Sequence, residues 1–211
     1  MTRKSQADLI HEMTDRQVTV QLIISQLIFI LLAVFGSLIL FDSFWSDWGR
    51  LFQFSLHQWF WYGCIPGLIV LLIDIILVYS LPKKYYDDGG INEKVFRNRS
   101  IGSIFGITLL IAVCEEVLFR GVLHTEFGYF AASLLFAIMH IRYLKKIVLL
   151  VSVLFVSFFI GYVYEITGNL MVTITSHFII DFFLALWIRF GKWGGADGRR
   201  ITATNPSRGL E

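Results

Sequence analysis

The sequence predicts an all-α membrane protein with about six transmembrane helices. Three observations carry this. The 211 residues are 56% hydrophobic and only 16% charged, with a mean hydropathy of +0.67, above the 45–50% apolar content usual for soluble domains. Six apolar segments follow one another along the chain. Sixteen of the 18 Lys and Arg residues fall in alternate connections between those segments, as a polytopic chain requires. The formal net charge of +2 is too small to suggest nucleic acid. Cys64 and Cys114 both lie in apolar stretches and suggest neither a disulfide framework nor a metal cluster.

Residues 1–16 are polar and read as a cytoplasmic, interfacial helix with Leu9, Ile10 and Met13 on one side. The membrane domain follows over 17–190. Its apolar segments are Gln17–Phe41, Trp59–Leu81, Ile101–Phe119, Phe127–Ile141, Ile147–Ile166 and Leu170–Phe190. A helix needs about 20 residues to cross the hydrocarbon, and lipid obliges each span to satisfy its own backbone hydrogen bonds. Only the fourth segment falls short. Trp45, Trp48, Trp59 and Trp61 sit where interfacial aromatics belong. The loop 82–100 has a Gly-Gly break, and the polar, glycine-rich tail 191–211 reads as disordered.

Lys and Arg set the orientation. Arg3, Lys4 and Arg16 lie in the N-terminal tail, and Lys83, Lys84, Lys94, Arg97 and Arg99 in the second loop. Arg142, Lys145 and Lys146 follow segment four, and Arg189, Lys192, Arg199, Arg200 and Arg208 end the chain. Only Arg50 and Arg120 lie on the opposite side. The expected setting is a bacterial plasma membrane with both termini cytoplasmic.

Ionisable groups inside a bilayer cost roughly 2.5–3.5 kcal/mol each on insertion scales and are functional candidates. Here they are Asp74, Glu115, Glu116, His140, Glu165, His177 and Asp181. Spacing sorts them. Glu116 and Arg120 are four apart, share a helix face and can pair. Glu115 points about 100° away and has no local partner, so His140 and His177 on other helices are its expected partners. His177 and Asp181 are again four apart.

A buried carboxylate suits the role of general base towards water, and imidazoles can hold that water or stabilise an oxyanion. The set Glu115, His140 and His177 would equally suit a zinc ion, and the residues alone leave the two chemistries open. Asp74 reads as a structural or pore-facing acid, Phe136 as packing, and His124 and Glu165 as interfacial. Cys114, one residue before Glu115, points another way on the helix and is not read as a thiol nucleophile.

The three pieces "EEVLFR" (Glu115–Arg120), "FAIMH" (Phe136–His140) and "HFIID" (His177–Asp181) resemble the CPBP family, the CaaX-protease and bacteriocin-processing group of intramembrane endopeptidases, also called Abi proteins. All three motifs occur in order on successive apolar segments over about 101–190, so the catalytic core is expected in the C-terminal helix bundle. The resemblance implies an intramembrane protease. Glu115 would activate water with His140, Glu116 and Arg120 would form a supporting ion pair, and His177 and Asp181 would polarise the substrate. No cofactor is required in this reading, although a metalloprotease using zinc is the older view of the family.

The implied substrate is a peptide or a lipidated, membrane-bound protein. The family includes eukaryotic enzymes that trim prenylated CaaX tails and bacterial members tied to pheromone processing and bacteriocin immunity. Its third motif ends in Asn in some members. Here it ends in Asp181, which as a carboxylate is better suited to orienting His177 than to donating a hydrogen bond. Two rival functions share the same residues: a non-catalytic immunity or signalling scaffold, and a proton-coupled transporter. The transporter would call for inverted repeats, and the sequence has none.

One geometric conflict follows from straight rods. Glu115 lies about 21 Å along segment three at 1.5 Å per residue, while His140 ends the antiparallel segment four. Simple helices would leave them at different depths.

Overall fold

The computed structural model describes residues 6–140, 143 and 146–191. The tail 192–211 and the basic residues Arg3, Lys4, Arg142 and Lys145 lie outside the described residues. Those described contain helices and no strand.

Among the described residues, five helices are long and apolar enough to cross a membrane. They are α2 (Asp15–Leu40), α4 (Leu56–Ser80), α6 (Ile101–Met139), α7 (Ile147–Thr167) and α8 (Leu170–Arg189). Three short helices accompany them: α1 (Gln6–Glu12), α3 (Phe44–Leu51) and α5 (Ile91–Phe96). The chain is an all-helical polytopic membrane protein.

Local chemistry sets the ends. Thr14 and Gln17 form a reciprocal capping box at the start of α2. Ser100 Oγ accepts from the Ser103 N–H at the start of α6. Between α7 and α8 the turn is two residues. Gly168 ends α7 at φ 58°, a left-handed cap that glycine adopts without strain. Asn169 then caps α8 by accepting from the Met171 N–H, while its Nδ2 donates to the Gln53 carbonyl (2.7 Å) and Gln58 Oε1 (2.9 Å). One buried side chain thus ties the start of α8 to the segment before α4.

The predicted third and fourth segments are one helical run in α6, broken at Gly128. There φ is 83° and ψ 170°, a region essentially reserved for glycine. The chain reverses at that residue. Phe119 and Phe136, 17 positions apart, stack edge-to-face with ring centroids 5.1 Å apart, whereas a straight helix would separate them by about 25 Å. The first arm, 101–127, is longer than segment three and rises about 40 Å; the second, 129–139, rises only about 16 Å.

This hairpin removes the depth conflict. Phe119 lies opposite Phe136, so one step down the first arm matches one step up the second. Four steps bring Glu115 level with His140. Within the first arm, Val117–His124 is wound as a π-helix, a feature that often accompanies functional sites. A second π-helical turn, Trp59–Cys64, lies in α4.

The second arm packs against α7 at very close range. A Cβ on Gly161 would come within 2.6 Å of Ser133 Oγ. Ser157 Oγ donates to the Ser133 carbonyl (2.8 Å), and the Tyr129 hydroxyl to that of Phe158 (2.9 Å). On the other side of α8, a Cβ on Gly67 would lie 2.9 Å from the Ser176 carbonyl oxygen. α4 and α8 therefore meet backbone to backbone.

The N-terminal segment is not merely interfacial. α1 packs on α5, the His11 ring donates from Nε2 to the Gly89 carbonyl (2.7 Å), and Lys94 pairs with Asp15 (3.0 Å). Arg99 Nη2 donates to Thr19 Oγ1 (2.6 Å). Together α1 and α5 close one end of the bundle.

Candidate active site

A cavity of about 560 Å³ lies inside the bundle. Glu115, His140, His177 and Asp181 all line it, from the first arm of α6, the end of the second arm, and α8. Away from these groups its wall is largely apolar, running to Ile10, Tyr86 and Ile91 beside α1 and α5.

The two adjacent glutamates have separate environments. Glu116 is fully buried. Its Oε1 accepts from Arg120 Nη1 (3.0 Å) and from His177 Nδ1 (2.9 Å). Arg120, 1% exposed, also donates from Nη2 to the Ser157 carbonyl (3.0 Å). Its guanidinium carbon lies 4.5 Å from the Phe136 ring centroid, a cation–π contact. A buried charge needs such partners, because desolvation would otherwise cost several kcal/mol.

Glu115 differs. It is 9% exposed and faces the cavity. Among the described residues it forms no hydrogen bond or ion pair. His177, expected as a partner of Glu115, lines the same cavity, but its Nδ1 gives its hydrogen bond to Glu116. The reason is helical phase. His177 approaches the face of α6 that already carries the Glu116–Arg120 pair.

The other ring nitrogen, His177 Nε2, lies 3.5 Å from Asp181 Oδ2, so a carboxylate stands at each end of the imidazole. His140 is half-buried and donates from Nδ1 to the Phe136 carbonyl (3.0 Å). Phe136 is the common neighbour, its ring centroid 4.9 Å from that of His140 and 5.9 Å from that of His177. Packing is its role here, since it sets the separation of both imidazoles from the α6 ion pair.

Polar residues of the first half of the chain also line the cavity, and two of them lie within the spans α2 and α4 close to the candidate site. Asp74 of α4 does so, in keeping with a pore-facing acid. Gln26 of α2 does so as well and is 5% exposed. The available signal for Gln26 was an amide within an apolar span, masked by attention to ionisable groups alone. His124 and Glu165 are not separate interfacial residues. His124 is buried between the Tyr164 and Tyr129 rings, and its Nε2 meets Glu165 Oε2 at 2.7 Å. This pair lies one to two turns beyond Arg120, near the hairpin's reversal, and does not line the cavity.

No three His, Cys, Asp or Glu side chains among the described residues gather closely enough to hold a metal ion. Without such a cluster, the described residues do not form a preformed zinc site.

The family model for Rce1-like type II CAAX prenyl endopeptidases matches residues 97–183. The uncharacterized protein YpbD of Bacillus subtilis (strain 168) is 46% identical over 166 residues, which cover 79% of this chain and 87% of that protein. The chain belongs to the Rce1-like type II CAAX prenyl endopeptidase family. This agrees with the resemblance to the CPBP group drawn from "EEVLFR", "FAIMH" and "HFIID". The Rce1-like region contains both arms of α6, α7 and most of α8, and therefore all three motifs. It does not include α2 or α4, which supply Gln26 and Asp74. No solved structure matches the chain. Membership makes it an integral membrane protein of a CAAX-type protease family, acting on a protein or peptide.

Proposed function

We propose that the protein is an intramembrane endopeptidase that hydrolyses a peptide bond of a membrane-associated peptide or protein with water activated by Glu115. The observation that carries this reading is the contrast between the two glutamates. Glu116 Oε1 is engaged by both Arg120 and His177. Glu115 is buried against the cavity without a hydrogen-bonding partner among the described residues.

In this reading Glu115 takes a proton from a water that also approaches His140, level with it across the hairpin. The water keeps its second O–H, which is hydrogen-bonded towards the His140 ring, held in place by the Phe136 carbonyl at Nδ1. The resulting hydroxide adds to the scissile carbonyl. His177, gripped at Nδ1 by Glu116 and with Asp181 beside Nε2, donates from a protonated Nε2 to the developing oxyanion. Asp181 balances the charge of that imidazolium and holds the ring in line. Collapse of the intermediate passes the proton from Glu115 to the leaving amine.

The test is cleavage of peptides by purified protein in detergent, with and without a chelator. Cleavage that survives the chelator and falls by about 10²–10⁴-fold in Glu115→Gln and His140→Ala is the expected result. A Glu115→Gln enzyme of normal rate, or activity that disappears with chelator and returns with zinc, would sink the water-activation reading.

A further inference from the structure

We propose that Gln26 is the group that binds the substrate's backbone, presenting its side-chain amide to a peptide unit next to the scissile bond. The inference rests on the endopeptidase reading above, and the matched family region does not reach this helix.

The first observation is an orphaned atom. Gln26 is 5% exposed, yet its Oε1 has no hydrogen-bond partner. Leaving a buried acceptor unpaired costs about 1–3 kcal/mol, and such groups call for an explanation. The assignment of oxygen and nitrogen follows from the neighbour. Ser25 Oγ spends its proton on the Leu22 carbonyl (2.7 Å) and can only accept from Gln26, as it does from Nε2 at 3.4 Å. Oε1 is therefore the atom left over, and Nε2 keeps a second N–H.

The second observation is depth. α2 and the first arm of α6 run in parallel, since Thr19 meets Arg99, Phe29 meets Phe119, and Gly36 approaches Val122. Gln26 lies three residues before Phe29, and Glu115 four before Phe119. At 1.5 Å per residue both sit about 5 Å below the same Phe–Phe contact. Gln26 and Glu115 thus stand at one level on the wall of one cavity.

The chemistry matches. A primary amide with a free acceptor and a spare N–H is complementary to a peptide bond, which offers one donor and one acceptor. An extended substrate advances about 3.3 Å per residue, so the unit that Gln26 meets is within one or two residues of the carbonyl attacked at Glu115. Backbone recognition of this kind holds the chain in register while leaving side-chain choice to the apolar walls.

The experiment uses full-length protein in detergent and a mixture of peptides from a protease digest of membrane proteins, with cut bonds read by mass spectrometry. The best-cut peptide is then resynthesised with an N-methyl group on each amide flanking the cut, one at a time. In wild type, one of the two methylations raises KM about tenfold. Gln26→Leu raises KM by a similar factor with kcat within about threefold, and adds nothing to that methylation. Gln26→Glu does not restore the wild-type KM. An unchanged KM in Gln26→Leu, or methylation and substitution effects that multiply, overturns the proposal.

Substrate-free stability gives an independent reading. Gln26→Leu should melt no lower than wild type, because only the long Ser25 contact (3.4 Å) is lost while an unpaired buried acceptor is removed. A lower melting temperature means that Gln26 serves the fold, and overturns the assignment whatever the activity. Glu115→Gln separates the two ideas. An active Glu115→Gln removes the proposed reaction, whereas an inactive Glu115→Gln beside a normal Gln26→Leu removes only the role of Gln26.

Discussion

Glu115 and Glu116 are neighbours in sequence with opposite thermodynamic roles, and substitution should separate them. Glu116→Ala leaves Arg120 as an uncompensated buried charge and removes the acceptor of His177 Nδ1. A loss of about 3–5 kcal/mol of stability is expected, measured by unfolding in mixed micelles. Glu115→Ala removes a carboxylate that nothing in the described fold bonds, so the unfolding midpoint should hold or rise while cleavage is lost. Equal destabilisation by both changes would show that Glu115 is structural. The division was legible from spacing alone for Glu116 and Arg120, because four residues fix a shared face. Spacing also gave His177 its neighbour Asp181 but not its partner Glu116 on another helix, because the rotation of α8 is set by packing such as the Gly67–Ser176 approach, which residue spacing within one helix does not encode.

At the scale of elements, the α6 hairpin depends on one backbone conformation. A Cβ on Gly128 meets nothing within 4 Å, so substitution there probes strain without a clash. Gly128→Ala should cost about 1–3 kcal/mol. It should also lower peptide cleavage by more than it lowers the folded fraction, because the reversal sets the level of His140 against Glu115. Activity in step with the folded fraction would show the reversal to be structural only. The apolar segments themselves were readable, since each is long and greasy enough to declare itself. The reversal itself was expected between segments three and four, but its position was not: it falls at Gly128, inside the expected fourth segment, because the chain stays helical through 120–127 instead of leaving the helix after Phe119. The π-helical winding of Val117–His124 was equally hidden, because most of its residues would be buried in either winding. The pairing of His124 with Glu165 joins positions 41 apart, beyond any local spacing rule.

Across the whole molecule, the alternating Lys and Arg residues predict that both termini face the cytoplasm. The short second arm of α6 makes this worth measuring directly. In a Cys64→Ser, Cys114→Ala background, a cysteine at exposed Lys84 should react with a membrane-impermeant maleimide only in inside-out vesicles. One at exposed Arg50 should react only in right-side-out vesicles. Labelling of both from the same face would overturn the predicted topology. The motif-bearing half of the fold was visible in the sequence because its polar residues are costly in lipid and few. The contribution of α2 and α4 was less visible. Helices that enclose a cavity need only one or two polar atoms facing it, and a single Gln or Asp in an apolar span carries no spacing to compare.

The level matching of Glu115 with His140 also makes the chain between them a ruler. Adding one residue to either arm would displace one member of the pair by about 1.5 Å and swing it by about 100°. The 25-position interval between them cannot absorb a lone insertion or deletion without parting the two groups. From His140 to His177 the chain instead passes through the connection ahead of α7, and later the two-residue turn at Gly168. Length can change in that first connection while α7 and α8 keep their register, so related chains should hold the first interval constant and let the second drift.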